Sequence, residues 1–369
     1  MKIICNKTEL VKGLQIVSRA IPSKTTMSIL EYILIDATGP EVKLVGNDME
    51  LGIETVISCE VAERGYIALS ARLFLDVVRK LPDTDVTITQ GDNYVVTITA
   101  LKTEFKLSGR AGEEFNFLPD IARIDGVEIS QYSLKSIINQ TIFAISAGND
   151  TNRMMSGELL EINGENMRVV ALDGHRIAIR KLGLSKAYPS KKVVIPGKTM
   201  SELSKILEDS TDKKAEIFFT DKHVMFSFDR TTVISRLIEG NYFNIDQMLS
   251  SDYETKITVS RKEITESIDR ATLLVKEGDK KPVIFDIKDS EIELRINSTL
   301  GSMNESIDIN KQGKNLMIGF NPKFIMDVLK VIEDDKADIY FVNPKAPCFF
   351  KNEEESYNYL ILPINFTTV

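Results

Sequence analysis

Apolar residues recur three and four positions apart in six segments of the chain, which is the period of a helix with one buried face. Three of these segments form a first kind, at residues 8–20, 133–145 and 261–274. The other three form a second kind, at residues 71–81, 198–207 and 322–332. Within each kind the segments begin 124 to 128 residues apart. The pattern therefore predicts three consecutive repeats, each with two helices.

Each second helix is followed by segments in which apolar and polar residues alternate, as in strands with one buried face. These segments occupy residues 85–90 and 94–100, 216–221 and 223–229, and 338–343 and 348–351. We therefore expect an α+β fold of three repeated domains, each with two helices packed on antiparallel sheets. Polar boundaries near residues 124–127 and 250–254 divide the chain into domains 1–125, 126–250 and 251–369.

The composition is that of a globular protein, with 43% hydrophobic and 27% charged residues. No apolar run approaches the roughly 18 residues of a membrane helix, and charges at Lys2 and Lys7 argue against a signal peptide. Cys5, Cys59 and Cys348 lie far apart without a CxxC spacing, which predicts neither a disulfide framework nor a zinc site. We expect a cytoplasmic protein in a reducing compartment.

The distribution of charge favours a polyanionic partner more than the total does. The net charge is −8, but the six helical segments together carry +6 and the remainder −14. Arg19, Lys135 and Arg270 are among the candidates for a positive helical face. If helices about 10 Å apart line a ring, six leave an opening of roughly 10 Å and twelve one of roughly 28 Å. Only two chains together would admit duplex DNA, which is roughly 20 Å wide.

The chain offers few residues for catalysis. His175 and His223 are its two histidines, and no GxSxG, P-loop or HExxH pattern occurs. We therefore expect no catalytic residue, no metal and no cofactor. Two alternatives to a DNA-encircling protein remain open: a nucleic-acid-processing enzyme that uses His175 as acid or base, and a repeat scaffold that binds proteins alone.

Two further segments are candidates for binding. The apolar run 169–179 is interrupted by Asp173–Arg176, which suits either a peptide-binding turn or a simple hairpin tip. The terminal run 359–369 contains Pro363, which predicts a final edge strand with a docking groove beside it. Packing of this run into the core is the alternative.

The chain resembles the β subunit of bacterial DNA polymerase III over essentially its whole length. The residues that carry the resemblance are Met1–Ile3, Leu30, Ile33–Ile35, Gly46–Asp48, Leu172–Arg176, Val194–Pro196, Ile318–Asn321 and Tyr359–Pro363. The resemblance implies a sliding clamp, a head-to-tail homodimer of six domains that forms a closed ring on double-stranded DNA without reading its sequence. It implies no enzymatic activity for the chain itself, which would be a processivity subunit of a DNA polymerase complex.

The resemblance also implies a hydrophobic pocket between the second and third domains. Its ligands would be short linear motifs of the replicative polymerase catalytic subunit, the clamp loader, other DNA polymerases and repair proteins. Matched position by position, the pocket comprises Met155, Leu172, Gly174, His175, Arg176, Ile177, Phe243, Met248, Asn321, Phe324, Pro347, Leu360, Ile361, Leu362, Pro363 and Ile364. Arg176 and His175 would form its polar edge.

The positions that match the family's DNA contacts are Lys24, Arg72, Asn149, Arg153 and Met154. Residues 367–369 extend past the usual end of the family and would partly cover the pocket. For the dimer interface we expect helix 71–81, with Leu73, Phe74 and Val77, and strand 102–108 on one side. The third domain would supply the other side.

Overall fold

The computed structural model describes residues 1–115, 118–146, 152–249, 252–275 and 281–366. The chain forms two compact units, one of residues 1–135 and 201–237 and the other of residues 136–200 and 238–369. Neither unit coincides with a single predicted domain. The domain boundaries therefore stay a prediction, and residues 250–251 of the second boundary lie outside the described residues.

Six helices occur in the described part of the chain, one at each predicted segment. They are α1 (Lys7–Val17), α2 (Ala71–Lys80), α3 (Gln131–Asn139), α4 (Gly197–Ser204), α5 (Arg261–Thr272) and α6 (Pro322–Val331). The predicted pair of helices in each repeat is thus confirmed. The helix α3 is shorter than predicted, because Thr141 leaves the helical region with a φ of −128° and residues 142–144 form a 3-10 turn.

Polar side chains determine where some of these helices begin. The Asn6 Oδ1 accepts a hydrogen bond from the backbone N of Thr8 at 2.9 Å, and the Asn321 Oδ1 accepts one from that of Lys323 at 3.0 Å. These bonds satisfy amide groups that have no partner in the first helical turn. Pro322 follows directly in α6, where its missing N–H costs nothing.

The strands of the first predicted repeat are β1 (Lys2–Asn6), β2 (Tyr32–Asp36), β3 (Val42–Asn47), β4 (Leu51–Ile57), β5 (Cys59–Glu63), β6 (Tyr66–Ser70), β7 (Asp85–Gln90), β8 (Val95–Ala100), β9 (Thr103–Ser108) and β10 (Arg110–Ala111). Those of the second are β11 (Val127–Ser130), β12 (Gly157–Leu172), β13 (Arg176–Pro196), β14 (Lys214–Phe219), β15 (His223–Phe228) and β16 (Thr231–Arg236). Those of the third are β17 (Thr255–Ser260), β18 (Val283–Ile287), β19 (Glu291–Ser298), β20 (Gly301–Gly313), β21 (Leu316–Phe320), β22 (Lys336–Phe341), β23 (Cys348–Lys351) and β24 (Tyr357–Ile361).

The first unit contains two antiparallel sheets. One has the strand order β5-β1-β7-β8-β9, and the other has the order β10-β6-β2-β3-β4-β16-β15-β14-β11. The second sheet joins two repeats, because β16 of the second repeat pairs with β4 of the first and sets Thr232 opposite Glu54.

The second unit contains one ten-stranded sheet, in the order β12-β13-β24-β23-β22-β17-β20-β19-β18-β21. Here β24 of the third repeat pairs with β13 of the second and sets Asn358 opposite Ile179. The core of this unit includes Ile264 and Ile268 of α5 and Ile325 and Leu329 of α6, all fully buried. The helical pattern of the sequence thus corresponds to faces packed on the sheet, and the α+β fold class is confirmed.

Two expectations from the sequence are wrong. The final strand β24 is not an edge, because β13 and β23 flank it on both sides. Cys5 and Cys59 are not separate thiols but form a disulfide between β1 and β5. Strand pairing brings together residues 54 positions apart in the sequence, and residue spacing alone does not show such a pair. None of the helices in the described residues is long and apolar enough to cross a membrane.

Candidate partner-binding site

The segment Asp173–Arg176 is the tip of the hairpin between β12 and β13. Gly174 has a φ of +83°, which a glycine adopts without strain. The Asp173 Oδ1 accepts hydrogen bonds from the backbone N of His175 at 2.9 Å and from that of Arg176 at 3.2 Å. The segment is therefore a tight hairpin turn held by its own hydrogen bonds, in agreement with the hairpin tip that was one of the two interpretations of its sequence.

The side chain of Arg176 is held inside the protein. It is 8% exposed, and its Nε donates to Asp173 Oδ2 at 2.9 Å. Its Nη1 donates to Asp327 Oδ2 of α6 at 2.6 Å, and its Nη2 donates to the carbonyl of Phe143 at 2.5 Å. All three nitrogens of the guanidinium have acceptors within the second unit. Arg176 thus fixes the hairpin tip to α6 and offers few donors to a partner.

The apolar wall of the site is a row of residues that pair across neighbouring strands. Tyr340 lies opposite Phe349, Phe349 opposite Leu360, and Leu360 opposite Ile177. Ile177 in turn pairs with Leu172 of β12. These five side chains belong to one buried cluster, which we call the second-unit wall. Met155 and Phe243 are partly buried and pack against it.

Exposed apolar side chains occur at other predicted pocket positions. Met248 is 44% and Leu362 39% exposed, whereas Pro347, Pro363 and Ile364 are partly buried. Two bonds fix the terminal segment, from the backbone N of Leu362 to the carbonyl of His175 at 2.9 Å and from that of Ile364 to the carbonyl of Gly319 at 2.8 Å.

The remaining pocket positions contribute differently. His175 is exposed, and its ring centre lies 6.0 Å from that of Phe324. The side-chain oxygen of Asn321 caps α6. Ile361 belongs to the buried core of the second unit that includes Ile264 and Ile325, and Phe324 packs against the same core. Residues 367–369, expected to cover part of the site, are outside the described part of the chain.

The predicted DNA contacts are only partly at the surface. Lys24, Arg72 and Arg153 are exposed. Met154 is 8% exposed and packs in the same cluster as the second-unit wall, so little of its side chain can meet DNA. Asn149 lies outside the described residues.

Several basic residues of the helical segments already have acidic partners. Arg19 lies 3.0 Å from Glu202, and Lys135 lies 2.9 Å from Asp209. Arg270 of α5 donates a hydrogen bond to Glu305 of β20 at 3.0 Å. Glu202 lies in the segment 198–207 and is already counted in the +6, but Asp209 and Glu305 lie outside the helical segments. These two acidic partners lower the positive charge that the helical segments offer to a polyanion.

A cavity of about 570 Å³ is a feature that the sequence did not indicate. Its lining includes Glu161, Arg168 and Asp246. The Arg168 Nε donates to Glu161 at 2.6 Å and its Nη1 to Asp246 at 2.7 Å. The hydrogen bond from Arg168 lowers the pKa of the Asp246 carboxyl. Most of the residues that line this cavity are charged or polar, whereas those of the second-unit wall are apolar or aromatic.

A second feature missed from the sequence is a buried carboxyl. Glu158 of β12 is fully buried, and the Thr141 hydroxyl donates to its Oε1 at 2.6 Å. Its Oε2 has no hydrogen-bond partner among the described residues. Burial raises the pKa of Glu158 to about 8. The position could have been suspected, because the apolar residues Ile33 and Val283 occupy the matching positions in the strands of the other repeats.

Comparison with known proteins identifies the family of this chain. Models of the N-terminal, central and C-terminal domains of the DNA polymerase III beta subunit match residues 1–119, 128–244 and 246–365. The beta sliding clamp of Staphylococcus epidermidis is 36% identical over an alignment of 357 residues, and the match covers 94% of this chain and 94% of that protein.

Solved structures agree with this assignment. The crystal structure of a protein assigned as a DNA polymerase III beta subunit in Eubacterium rectale has 55% identity, a TM-score of 0.96 and coverage of 99% of this chain and 100% of that one. A sliding clamp from Pseudomonas aeruginosa bound to griselimycin shares the fold, with 24% identity, a TM-score of 0.93 and coverage of 99% and 100%. The repeated two-helix domains, the matched residues and the relatives together place this chain in the DNA polymerase III beta subunit family, whose members are sliding clamps.

Proposed function

We propose that two copies of this chain close a ring around duplex DNA and tether the replicative DNA polymerase to it. The chain contributes no bond-making step; it supports processivity by keeping the polymerase at a high effective concentration on its template. The site of action would be the cytoplasm. The proposal rests on the way strands of neighbouring repeats pair. Such pairing between repeats occurs twice within the chain, and one strand edge in the first repeat and one in the third remain unpaired among the described residues. We call each such pairing a join.

Both joins have the same form. The strand β16 pairs with β4 in the first unit, and β24 pairs with β13 in the second. In each case the last strand of one repeat extends a sheet of the preceding repeat. In the first repeat the matching strand is β9, which lies at the edge of its five-stranded sheet and pairs only with β8 among the described strands. A strand from another copy would complete its pairing.

The third repeat carries the complementary edge. Residues 301–308 of β20 pair with β19 but with no second strand among the described residues. In the first repeat, a row of residues that lie opposite one another crosses the strands β6, β2, β3 and β4, from Ala68 to Glu54. Glu54 in turn lies opposite Thr232 of β16 in the second repeat. In the third repeat the same row starts at Gly319 and ends at Asn304. Residues 301–307 of β20 thus correspond to β4.

The same correspondence gives the register between copies. Glu104 occupies in β9 the position that Thr232 has in β16, since each pairs with the matching residue of the strand before it. We therefore expect Glu104 of one copy opposite Asn304 of the other. Phe105, which is 38% exposed, then faces the partly buried Met303, and such apolar cross-strand pairs stabilise sheets.

Exposed apolar residues support this interface only in part. Leu73 of α2 is 50% exposed, but Phe74 and Val77, which the sequence also suggested, are buried in the core of the first unit. In the third repeat Leu273 and Leu300 are 77% and 52% exposed. Contiguous patches of exposed apolar side chains are typical of surfaces that a partner covers, whereas single exposed residues of this kind occur on any protein surface.

The partner site would be the second-unit wall with its surrounding exposed residues. Short motifs with apolar anchors would pack there beside Met248 and Leu362, and His175 would lie at the edge. Since the Pseudomonas clamp is bound to griselimycin, we propose the same compound as a ligand of this site. The clamp loader and repair proteins would compete for it.

Cross-linking tests the ring. The variants Glu104→Cys and Asn304→Cys in one chain should give, on mild oxidation, a covalent dimer on a denaturing gel. The matched control pairs Glu104→Cys with Ser306→Cys, which lies roughly 7 Å further along the strand and should cross-link far less. The reduced variant, loaded on nicked circular plasmid by a clamp loader and only then oxidised, should stay bound in high salt and leave on linearisation. Equal retention on circular and linear DNA would show that binding is not topological.

A further inference from the structure

The first unit contains a row of four residues that matches four of the five positions of the second-unit wall, all except Leu172, whose counterpart is Asn47. Phe218 lies opposite Met225, Met225 opposite Ile234, and Ile234 opposite Gly52. In the second unit the corresponding pairs are Tyr340 with Phe349, Phe349 with Leu360, and Leu360 with Ile177. We call the first row, Phe218, Met225, Ile234 and Gly52, the first-unit wall.

The first-unit wall is covered by the chain itself. Ile121, which is 6% exposed, forms one cluster with Phe218, Met225 and Ile234, and Leu118 packs against the same cluster. Both covering residues belong to the segment that connects the first repeat to the second. Residues 118–121 form neither helix nor strand, and such a segment with apolar side chains on an apolar wall resembles a bound linear motif.

Gly52 makes room for this segment. A Cβ atom added at Gly52 would lie 2.0 Å from the Cδ2 of Leu118, a distance at which one of the two must move. The matching residue of the second-unit wall is Ile177, whose side chain fills that space. The glycine therefore lets Leu118 pack where the second unit has its own isoleucine.

The corresponding connecting segment of the second unit leaves its wall more open. Leu118 and Ile121 are three residues apart, as are Ile245 and Met248. Ile245 is buried in the cluster of the second-unit wall, and Leu118, which is partly buried, packs against the first-unit wall. Met248, however, is 44% exposed, whereas Ile121 is buried. The two grooves differ mainly in whether the second residue of each pair, Ile121 or Met248, covers the wall.

We propose that residues 118–121 act as a built-in ligand of a second peptide groove, and that the first-unit wall accepts short apolar linear motifs when this segment is displaced. The inference rests on the proposed partner site, since it assigns the same ligand class to a wall of the same design. A chain then carries one open groove and one that its own connecting segment occupies.

The test is the number of ligands bound per chain, measured by titration calorimetry with griselimycin. The wild-type protein should bind one per chain. The variant with Leu118→Ala and Ile121→Ala should bind two, and the added site should slow hydrogen exchange in residues 218–234. Ile124→Ala is the matched control, because Ile124 follows the same segment but is 71% exposed; it should bind one.

The outcomes separate the two proposals. A folded double variant that still binds one ligand overturns the built-in ligand, while a wild-type count of zero counts against the partner site itself. If the double variant does not fold, Gly52→Ala serves instead, because the added methyl displaces Leu118 while keeping both apolar side chains. A count of one for Gly52→Ala, with unchanged exchange in residues 218–234, would likewise overturn the inference.

Discussion

The guanidinium of Arg176 lies 4.4 Å from the centre of the Phe324 ring. A cation over an aromatic face is stabilised by roughly 1–2 kcal/mol when both are shielded from water. The same guanidinium donates hydrogen bonds to two acidic side chains, Asp173 and Asp327. One side chain thus links the hairpin tip, the helix α6 and an aromatic ring within the second unit.

Replacement of Arg176 should therefore destabilise the protein more than it weakens partner binding. Arg176→Ala leaves two partly buried carboxylates without their cation, and we expect a loss of about 3–5 kcal/mol in the free energy of unfolding. Arg176→Lys should lower the free energy of unfolding by less, because lysine keeps the positive charge but lacks the planar guanidinium group that donates to several acceptors. Urea unfolding measures both variants. Reduced griselimycin binding by Arg176→Lys at unchanged stability would instead indicate a direct contact with the ligand.

Glu158 should make the stability of the protein depend on pH. Its folded pKa of about 8 is above the ordinary value of 4.5, so the folded state keeps a proton that the unfolded state releases. The stabilising contribution is complete below about pH 4.5 and is lost as the pH rises towards 8. Glu158→Gln removes this dependence. Between pH 5 and 8 the wild-type protein should lose roughly 4 kcal/mol relative to the variant.

Thermal or urea unfolding at pH 5, 6.5 and 8 measures this difference. Glu165→Gln is the control, because Glu165 is exposed on the same strand β12, and it should follow the wild type at each pH. Parallel curves for wild type and Glu158→Gln would mean that the buried carboxyl is already ionised or that water reaches it.

Met248 should contribute to partner binding without supporting the fold. Its side chain is 44% exposed, and its sequence neighbours Ile245 and Leu249 belong to or pack against the cluster of the second-unit wall. Met248→Ala should weaken griselimycin binding by about 5–30-fold, the range of a residue that contributes 1–2 kcal/mol at an interface. Met49→Ala removes a methionine of similar exposure, 49%, from the first unit and should leave the affinity unchanged. Equal effects of the two variants would remove Met248 from the site.

The disulfide between Cys5 and Cys59 should stabilise the first unit under oxidising conditions. It closes a segment with a separation of 54 residues, for which about 2–4 kcal/mol is expected. Reduction with dithiothreitol should lower the melting temperature of the wild type by several degrees. Cys59→Ser should melt at that lower temperature with or without the reductant. A wild-type melting curve insensitive to dithiothreitol would show that the two thiols are not bonded in solution.

Local patterns were sufficient to predict the helices and many strands. The helix α2 lies at residues 71–80, against a predicted 71–81, because its apolar residues follow the helical period and its charges occupy the other face. The strands β14 and β15 likewise follow the alternation read from the sequence. These features depend on neighbours in the chain and are visible without tertiary contacts.

Other features depend on residues far apart in the sequence. The position of β24 inside its sheet follows from pairing with β13, and nothing in its own residues distinguishes a central strand from an edge. The role of Arg176 depends on Asp327 of α6, which spacing does not reveal. For the candidate site, the resemblance to the family supplied the set of residues, and the structure showed which of them share one wall and which face elsewhere.

The edge of β9 and that of residues 301–308 in β20, which have no second partner strand among the described residues, would determine how a closed assembly opens. Because one edge lies in the first repeat and its complement in the third, two copies would meet at two identical joints. Breaking one joint would open a gate for DNA while the other keeps the copies together as a hinge. A factor that opens the ring would then need to separate only six or so paired residues on one side, and the released edges would guide the gate back into register when it closes.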